Sequence, residues 1–309
     1  MADIATRDAY GKTLAKLVEQ DDHIFVLDAD LSGSTKTAMA KKVKPHQHFN
    51  MGIAEGNMMS VAAGMAAQGN VVFASSFAMF ATGRAYEQIR NSIGYPKLNV
   101  KVCASHAGVT VGEDGASHQS IEDLSLMRGI PNMTVICPAD AYEAEAAIEA
   151  VYRHEGPCYV RLGRSAVPTV YEEGNVPFTI GKGNVLRKGK KVAVIACGIM
   201  IKEALEAYEM LKTEGIEITV VDMHTIKPID KELLMELSHT HDCIITAEEH
   251  SMIGGLGSAV SEVLSQYAPC KQVMIAVKDV FGESGTPKAL MEKFHLTSKD
   301  IAEAVKKQR

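Results

Sequence analysis

The sequence lacks an excess of positive charge, a long uninterrupted apolar run and closely spaced cysteines. Lys and Arg together number 32 against 38 Asp and Glu, which gives a formal net charge of -6. Because phosphate polymers are bound through cationic surfaces, this balance argues against nucleic acid as the main partner. The mostly apolar stretch SVAAGMAAQGNVVFASSFAMF is broken by Gly, Gln and Asn. We therefore expect no membrane-spanning helix and no membrane partner.

The cysteine pattern and the first residues bear on the cellular location. No CxxC motif occurs, and several cysteines lie in apolar runs such as VAVIAC and CIITA. The opening MADIATRDAY carries two acids and no apolar segment of the kind found in secretory signals. These features predict a cytoplasmic protein with buried free thiols. The six cysteines are Cys103, Cys137, Cys158, Cys197, Cys243 and Cys270.

Short apolar, β-branched segments alternate with longer helical patterns along the chain. Strands that are apolar throughout and separated by helix-length segments are typical of parallel sheets covered on both faces. The sequence therefore predicts the α/β class, with parallel or mixed sheets. The predicted strands are HIFVLDA, NVVFASS, NVKVCAS, TVICPA, CYVRLG, KVAVIAC, EITVVDM, CIITAEE and QVMIAV.

Residues 166–189 are rich in Pro, Gly and charge and have little helical periodicity. We interpret this stretch as a linker between two doubly wound domains, residues 1–165 and 190–309. A length of 309 residues suits two domains, since a domain usually has about 100–200 residues.

The segment GGLGSAVSEVL allows two interpretations. It resembles a phosphate-binding turn before a helix, although it lacks a third spaced Gly. A tight turn explains Gly254, Gly255 and Gly257 equally well.

An acid and two aromatic residues follow predicted strands in the first half. Glu55 lies where an apolar strand meets a helix rich in Ala, Gly and Met. An acid at this point stabilises the helix N-terminus, or, when desolvated, can share a proton with a ring nitrogen. Phe77 and Phe80 lie on one face if their segment is helical. They belong either to the core or to a cofactor platform, because ligands bind where the strands of open α/β sheets end.

The Gly-punctuated segment SHAGVTVGEDGASHQ contains His106, Glu113, Asp114 and His118. Loops of this kind carry function more often than packing. Metal binding is the rival interpretation, since His and carboxylates are common ligands. Together with the cations Arg7, Arg84 and Arg164, the segment suits an anionic polyol bound beside an organic cofactor. Arg84 and Arg164 flank this segment in the sequence, and Arg7 lies near the start.

Several motifs resemble one known family, the transketolases. GIAEGNM, FAMFATGRAYEQIR, GVTVGEDGASHQSIEDLSLMRGIPNM and PADAYEA are similar to its pyrimidine-binding half, and DMHTIKPID and EEHSMIGGLGSAV are similar to its carboxyl-terminal domain. The resemblance covers essentially the whole chain. It implies a thiamine diphosphate-dependent enzyme that moves a two-carbon ketol unit from a ketose phosphate to an aldose phosphate.

The resemblance also implies roles for individual residues. Glu55 would hydrogen-bond the pyrimidine ring of the cofactor, and His118 would lie beside the reacting carbon of the substrate. Cofactor contacts would come from Phe77, Phe80 and Asp30. The residues implied in substrate binding are Asp114, which would bind a donor hydroxyl, and Arg7, Ser34, His106 and Arg164, which would hold the sugar phosphate.

Two departures from the family pattern shape the prediction. The family's GDG motif, which holds Mg²⁺ (or Ca²⁺) and the diphosphate, occurs nowhere in this sequence. We therefore predict no metal site in this chain and a separate amino-terminal subunit that carries the motif, with two such pairs associating as a dimer of heterodimers. FAMFATGRAY also has one residue more than the family form FxxFxxRA, which leaves open whether Gly83 or Arg84 lies near the pyrimidine.

Three alternatives to a transketolase subunit remain at this point. The chain could resemble 1-deoxyxylulose 5-phosphate synthase, although His106 favours transketolase. It could resemble the β subunit of a 2-oxo acid dehydrogenase, which would have a lipoyl-carrying partner. It could also be a non-catalytic regulatory subunit, against which Glu55, His106 and His118 argue.

Overall fold

A computed structural model describes residues 3–308 as helices alternating with mostly short strands. The strands in this range are β1 (Ile4–Ala5), β2 (Ile24–Asp28), β3 (His48–Asn50), β4 (Val71–Ser75), β5 (Val100–Ala104), β6 (Thr134–Ile136), β7 (Cys158–Arg161), β8 (Ala166–Val167), β9 (Asn184–Arg187), β10 (Lys191–Ala196), β11 (Thr219–Asp222), β12 (Thr225–Lys227), β13 (His241–Ser251) and β14 (Lys271–Val277).

The α-helices are α1 (Thr6–Gln20), α2 (Ser32–Thr35), α3 (Ala38–Val43), α4 (Glu55–Ala66), α5 (Tyr86–Gln88), α6 (Asp123–Arg128), α7 (Ala141–Arg153), α8 (Met200–Thr213), α9 (Lys231–Thr240), α10 (Leu256–Tyr267), α11 (Pro287–Lys293) and α12 (Ser298–Lys306). Two segments, Met79–Arg84 and Ile89–Gly94, are π-helical, and Pro45–Gln47 and Val109–Asp114 form 3-10 turns. None of the helices in the described part of the chain is both long and apolar enough to cross a bilayer.

The strands form two large sheets and one small one. The first large sheet has the order β12-β6-β7-β5-β4-β2-β3 and the second has the order β14-β13-β10-β11-β9. Neighbouring strands run parallel except at β12 in the first sheet and β9 in the second, and β1 pairs with β8 in an antiparallel ribbon. The α/β class with parallel and mixed sheets is confirmed, and all nine predicted strands are present.

Helices cover both faces of the first sheet, as its apolar strands require. On one face, Tyr10 and Leu14 of α1 and Ile148 of α7 belong to one buried cluster. On the other face, Met58 and Met59 of α4 pack against the sheet in a second cluster. Because both faces are covered, the open part of this sheet is its edge at the strand ends, where the connecting loops lie.

The predicted linker at 166–189 contains two short strands, β8 and β9. β9 joins the second sheet through β11, while β12 from the second half of the chain joins the first sheet through β6. The second half of the chain therefore contributes one edge strand, β12, to the first sheet. The domain boundaries at 165 and 190 stay a prediction.

A cluster of buried acids joins α7 to the end of β11. Asp140 caps α7 by accepting the backbone N–H of Glu143 at 2.8 Å. Asp222 accepts the hydroxyl of Tyr171 at 2.8 Å, and its carboxyl interacts with that of Glu143. Oδ1 of Asp222 and Oε1 of Glu143 are buried and have no other partner among the described residues. Burial raises the pKa of Asp222 to about 7, and burial followed by the charge of Asp222 raises the pKa of Glu143. One shared proton supplies the donor that these two carboxyls otherwise lack.

This cluster gives the fold a pH dependence. Between about pH 4 and 7 these two carboxyls hold more protons in the folded chain than in the unfolded chain, so their contribution to the free energy of unfolding falls as pH rises. We expect Asp222→Asn to reduce the loss of stability between pH 5 and pH 8 by about 1–3 kcal/mol. Urea unfolding at fixed protein concentration measures this change. The exposed Asp242 offers the control Asp242→Asn, and an Asp222→Asn chain with the wild-type pH slope would contradict the prediction.

Candidate functional site

The predicted site residues gather where four neighbouring strands of the first sheet end. Asp30 follows β2, Phe77 follows β4, His106 follows β5 and Arg164 follows β7. Open parallel sheets bind their ligands at this edge. The site is therefore built on loops that a rigid, doubly covered sheet holds in place.

Glu55 is the first residue of α4, and its side chain is 5% exposed. Nη1 of Arg84 donates a hydrogen bond to its Oε1 at 3.0 Å. Among residues 3–308 no other side chain or backbone group is hydrogen-bonded to this carboxylate, so Oε2 keeps its capacity to accept from a ligand. A buried acid with one half-exposed counter-ion is costly to maintain in a fold that does not use it.

The additional residue in FAMFATGRAY lies in an unusual helical turn, and which of Gly83 and Arg84 lies near the pyrimidine stays a prediction. Met79–Arg84 is a π-helical turn, in which hydrogen bonds span five residues instead of four. This turn brings Arg84, rather than Gly83, to Glu55. The guanidinium of Arg84 also lies over the ring of Phe80, 4.2 Å from the ring centroid. This contact was not predictable from the sequence, because the wider turn shifts every later side chain around the helix.

Aromatic and imidazole rings continue the site from Arg84. Phe80 stacks on Phe77 with 5.7 Å between ring centroids, and Phe77 stacks on His106 at 3.7 Å. His118 meets Phe80 edge-on at 5.2 Å. The loop between His106 and His118 thus brings two histidines that are distant in sequence to the same pair of aromatic rings. The alternative in which Phe77 and Phe80 belong only to the core does not fit Phe80, which is half-buried.

His106 is held in one tautomer. Its backbone has φ of 58°, a conformation that few non-glycine residues adopt. Arg7 Nη1 lies 3.2 Å from Nε2, and Ser105 Oγ lies 2.9 Å from Nδ1. Because an arginine can only donate, Nε2 accepts and Nδ1 donates to Ser105. Burial, followed by the charges of Arg7 and Arg164, lowers the pKa of His106 to about 3, so the ring is neutral near pH 7.

Two arginines supply positive charge beside His106. Arg7 Nη1 donates to the backbone carbonyl of Ser34 at 3.0 Å, so Ser34 acts here through its main chain. Nε of Arg7 is buried and has no hydrogen-bond partner among the described residues. Arg164 Nη1 donates to the carbonyl of Val111 at 2.7 Å and to Glu113 at 3.1 Å. The unpartnered donor of Arg7 is suited to an anionic ligand.

The two predicted aspartates differ in their surroundings. Asp30 is exposed with φ of 62°, and its Oδ1 accepts from Nδ2 of Asn50 at 3.0 Å. Asp114 is exposed at the end of the 3-10 turn, and its carboxylate makes no hydrogen bond or ion pair within residues 3–308. No contact in the structure joins Asp114 to the histidine and aromatic cluster. Its role stays a prediction.

Asp28, the buried last residue of β2, was not among the predicted site residues. Its carboxylate accepts from the backbone of Leu31 and from the hydroxyls of Thr35 and Thr37, at 2.5, 2.6 and 2.9 Å. It thereby fixes the loop that carries Asp30 and Ser34. The signal was an acid ending an apolar strand, followed by the small polar residues of SGST.

The backbone N–H groups at the start of α10, after the Gly-rich segment, bind a side chain of the same chain. Oε2 and Oε1 of the buried Glu248 accept from the backbone N–H groups of Leu256 and Gly257 at 2.7 and 2.8 Å. A carboxylate therefore takes the place that a phosphate would have at this helix N-terminus. The structure favours the tight turn over the phosphate-binding interpretation.

Metal binding was the rival interpretation of the histidines and carboxylates. Within residues 3–308, no group of three or more His, Cys, Asp or Glu side chains could hold a metal ion.

Family models and curated relatives match nearly the full chain. The transketolase pyrimidine-binding domain matches residues 2–169, and the transketolase C-terminal domain matches residues 181–301. The chain is 49% identical to a putative transketolase C-terminal section of Methanocaldococcus jannaschii, over 97% of this chain and 94% of that protein. It is 41% identical to a 6-deoxy-6-sulfo-D-fructose transketolase subunit of Clostridium sp. (strain MSTE9), over 96% and 92% of the two chains. It matches rat transketolase at 40% identity, but spans only 49% of that longer protein.

Solved structures give the same picture. A split-gene transketolase, described as an inactive beta4 tetramer, has 53% sequence identity and a TM-score of 0.90, with 99% of this chain and 98% of that chain covered. Transketolase from Campylobacter jejuni has the same fold at 24% identity and a TM-score of 0.82, with 98% of this chain but 46% of that chain covered.

Proposed function

Because the chain belongs to the transketolase family, we propose that it is the carboxyl-terminal subunit of a two-subunit, thiamine diphosphate-dependent transketolase. It transfers a two-carbon ketol unit from a ketose phosphate to an aldose phosphate. Thiamine diphosphate, when bound, is the electron sink of this transfer. Relatives of matching length that are separate C-terminal sections or subunits support the two-subunit form. These relatives are named as transketolases or as sections or subunits of one, which does not favour the synthase or dehydrogenase alternatives.

The single observation that carries the proposal is the buried carboxylate of Glu55. A pyrimidine ring is flat and has polar ring nitrogens, so a fitting site needs an apolar surface and a hydrogen-bonding group. Phe77 and Phe80 supply the first, and Oε2 of Glu55 supplies the second. The residues present therefore fit the pyrimidine half of the cofactor.

The remaining residues have roles that follow from their positions. Glu55 holds a proton shared with the pyrimidine ring, and Arg84 reduces the cost of burying the charged carboxylate. His118, against the ring of Phe80, orients the substrate near the aromatic surface. Asp30 contacts the cofactor and Asp114 binds a donor hydroxyl. The sugar phosphate is held by Arg7, Ser34, His106 and Arg164.

The partner is an amino-terminal subunit that carries the GDG motif and holds the diphosphate and Mg²⁺ (or Ca²⁺). Two such pairs associate as a dimer of heterodimers. The sequence of this chain contains no GDG, which supports the division of labour. A cytoplasmic location is supported by the thiols: all six cysteines are free, and five of them are buried.

Reconstitution tests this function. We expect the isolated chain to be inactive, and the pair with its amino-terminal subunit, thiamine diphosphate and Mg²⁺ to form a seven-carbon sugar phosphate from two pentose phosphates. Chromatography with mass detection of the product measures the transfer. A pair that binds the cofactor but transfers no ketol unit with any sugar phosphate would contradict the proposal.

A further inference from the structure

The loop from His106 to His118 is anchored on the second sheet. Glu249, near the end of β13, is 5% exposed and belongs to the half of the chain that contributes none of the site residues described above. Its Oε2 accepts from both the backbone N–H and the hydroxyl of Thr110, at 3.2 and 2.9 Å. Thr110 thus gives its side-chain and backbone donors to one carboxylate from the other half of the chain.

The backbone next to Thr110 is shaped around this carboxylate. Gly108 has φ of 80°, and a Cβ at this position would lie 2.3 Å from the carboxyl carbon of Glu249. Any side chain would therefore displace Glu249 or the loop. The glycine permits both the left-handed backbone and the close approach.

Thr110 also links Glu249 to Arg164, one of the residues predicted to hold the sugar phosphate. Its carbonyl accepts from Ser165 Oγ at 3.1 Å, and the next carbonyl, of Val111, accepts from Arg164 at 2.7 Å. A shift of Thr110 would move the acceptor that fixes the guanidinium of Arg164. Glu249 itself lies outside the cluster of predicted substrate contacts.

The buried charge of Arg161, next to Glu249, is already balanced by Asp123. Arg161 donates Nε to Asp123 at 2.8 Å, and its Nη1 lies 3.8 Å from Glu249. The Arg161–Asp123 pair is neutral by itself, so Glu249 is not required as a counter-ion. Its two hydrogen bonds to Thr110 are the contacts that nothing else replaces.

We propose that Glu249 is a positioning residue, through which the carboxyl-terminal half of the chain holds the 108–114 segment and Arg164 in place for the sugar phosphate. This inference rests on the proposed function for its substrate, but the anchor itself is a property of the chain alone. It gives the second sheet an indirect part in substrate binding, through Thr110 and Arg164.

Two substitutions separate the hydrogen bonds from the charge. Glu249→Ala removes the acceptor, whereas Glu249→Gln keeps an amide oxygen for Thr110 and removes only the charge. Glu248→Ala is the matched control, because Glu248 is the neighbouring buried acid and accepts from α10 rather than from the loop. Thr110→Val weakens the same anchor from the loop side, in case Glu249→Ala does not fold.

Hydrogen exchange on the full chain, without partner or cofactor, is the first measurement. We expect Glu249→Ala and Thr110→Val to accelerate exchange of the amides in 108–114 at least about tenfold, and Glu249→Gln and Glu248→Ala to leave it near wild type. Wild-type exchange of these amides in Glu249→Ala would contradict the proposal that Glu249 holds the segment in place. So would equal loss in Glu249→Gln and Glu249→Ala, since the charge would then be the cause.

Kinetics of the reconstituted pair is the second measurement. Glu249→Ala should raise KM for a phosphorylated donor about tenfold with kcat nearly unchanged, and Glu249→Gln should restore KM. An unchanged KM in Glu249→Ala would overturn the positioning role. A wild-type pair with no ketol transfer would instead contradict the proposed function, while hydrogen exchange would still decide the anchor.

Discussion

Glu55→Gln should lower kcat of the reconstituted two-subunit enzyme by about 10²–10⁴-fold, the range that a positioned acid or base contributes. The amide has nearly the shape of the carboxylate and stays buried in the first turn of α4. It has no charge with which to stabilise a protonated ring, and it offers Arg84 a neutral amide oxygen in place of a carboxylate. Steady-state rates at saturating cofactor and substrates measure the effect.

A matched control separates this effect from loss of stability. Glu209 is an exposed acid on α8, and its side chain is 61% accessible, so Glu209→Gln should keep wild-type activity. The unfolding midpoint of Glu55→Gln, measured beside the kinetics, shows whether the variant is folded. A folded Glu55→Gln pair with wild-type kcat would mean that this carboxylate takes no part in the reaction.

Arg7→Ala should raise KM for phosphorylated sugars by about 10–100-fold, with a smaller change in kcat. His106 is neutral because of its burial and its cationic neighbours, so it cannot supply the charge that a phosphate dianion needs. Arg7 can, through a buried Nε that has no partner in residues 3–308. Arg7→Lys should rescue only partly, since the planar donor pair is lost.

An unphosphorylated ketose donor is the control for Arg7. Its KM should be nearly the same in wild type and Arg7→Ala, because the substitution removes a group that binds phosphate. Arg153→Ala, at a largely exposed position on α7, should change neither KM. Equal increases in KM for phosphorylated and unphosphorylated donors would show that Arg7 acts on the loop structure and not on the phosphate.

The fold was predictable from sequence where one pattern extends over several residues. KVAVIAC contains a continuous apolar run with β-branched residues, and NVKVCAS contains one that only Lys101 interrupts; they form the central strands β10 and β5. Strands β1, β3, β8, β9 and β12 have two to four residues each. Unlike β6, β7 and β11, which are equally short, they lie outside a continuous apolar run, and their pairing depends on neighbours that are distant in sequence.

The part of the candidate site that lies just after strand ends was predictable from the sequence. Phe77 and His106 each come directly after a buried strand, and the structure stacks their rings. The pairing of Arg84 with Glu55 was not predictable, because it depends on a π-helical turn that no sequence pattern indicates. The contact of Glu249 with Thr110 joins residues that are 139 positions apart, and only the packing of the two halves brings them together.

The most direct test of the account is a crystal structure of the two-subunit complex with thiamine diphosphate bound. We predict that the carboxylate of Glu55 lies within hydrogen-bond distance, about 2.6–3.2 Å, of the aminopyrimidine ring. The diphosphate should be held by the partner subunit. A complex in which Glu55 faces bulk solvent, or in which the ring binds away from α4, would contradict the account.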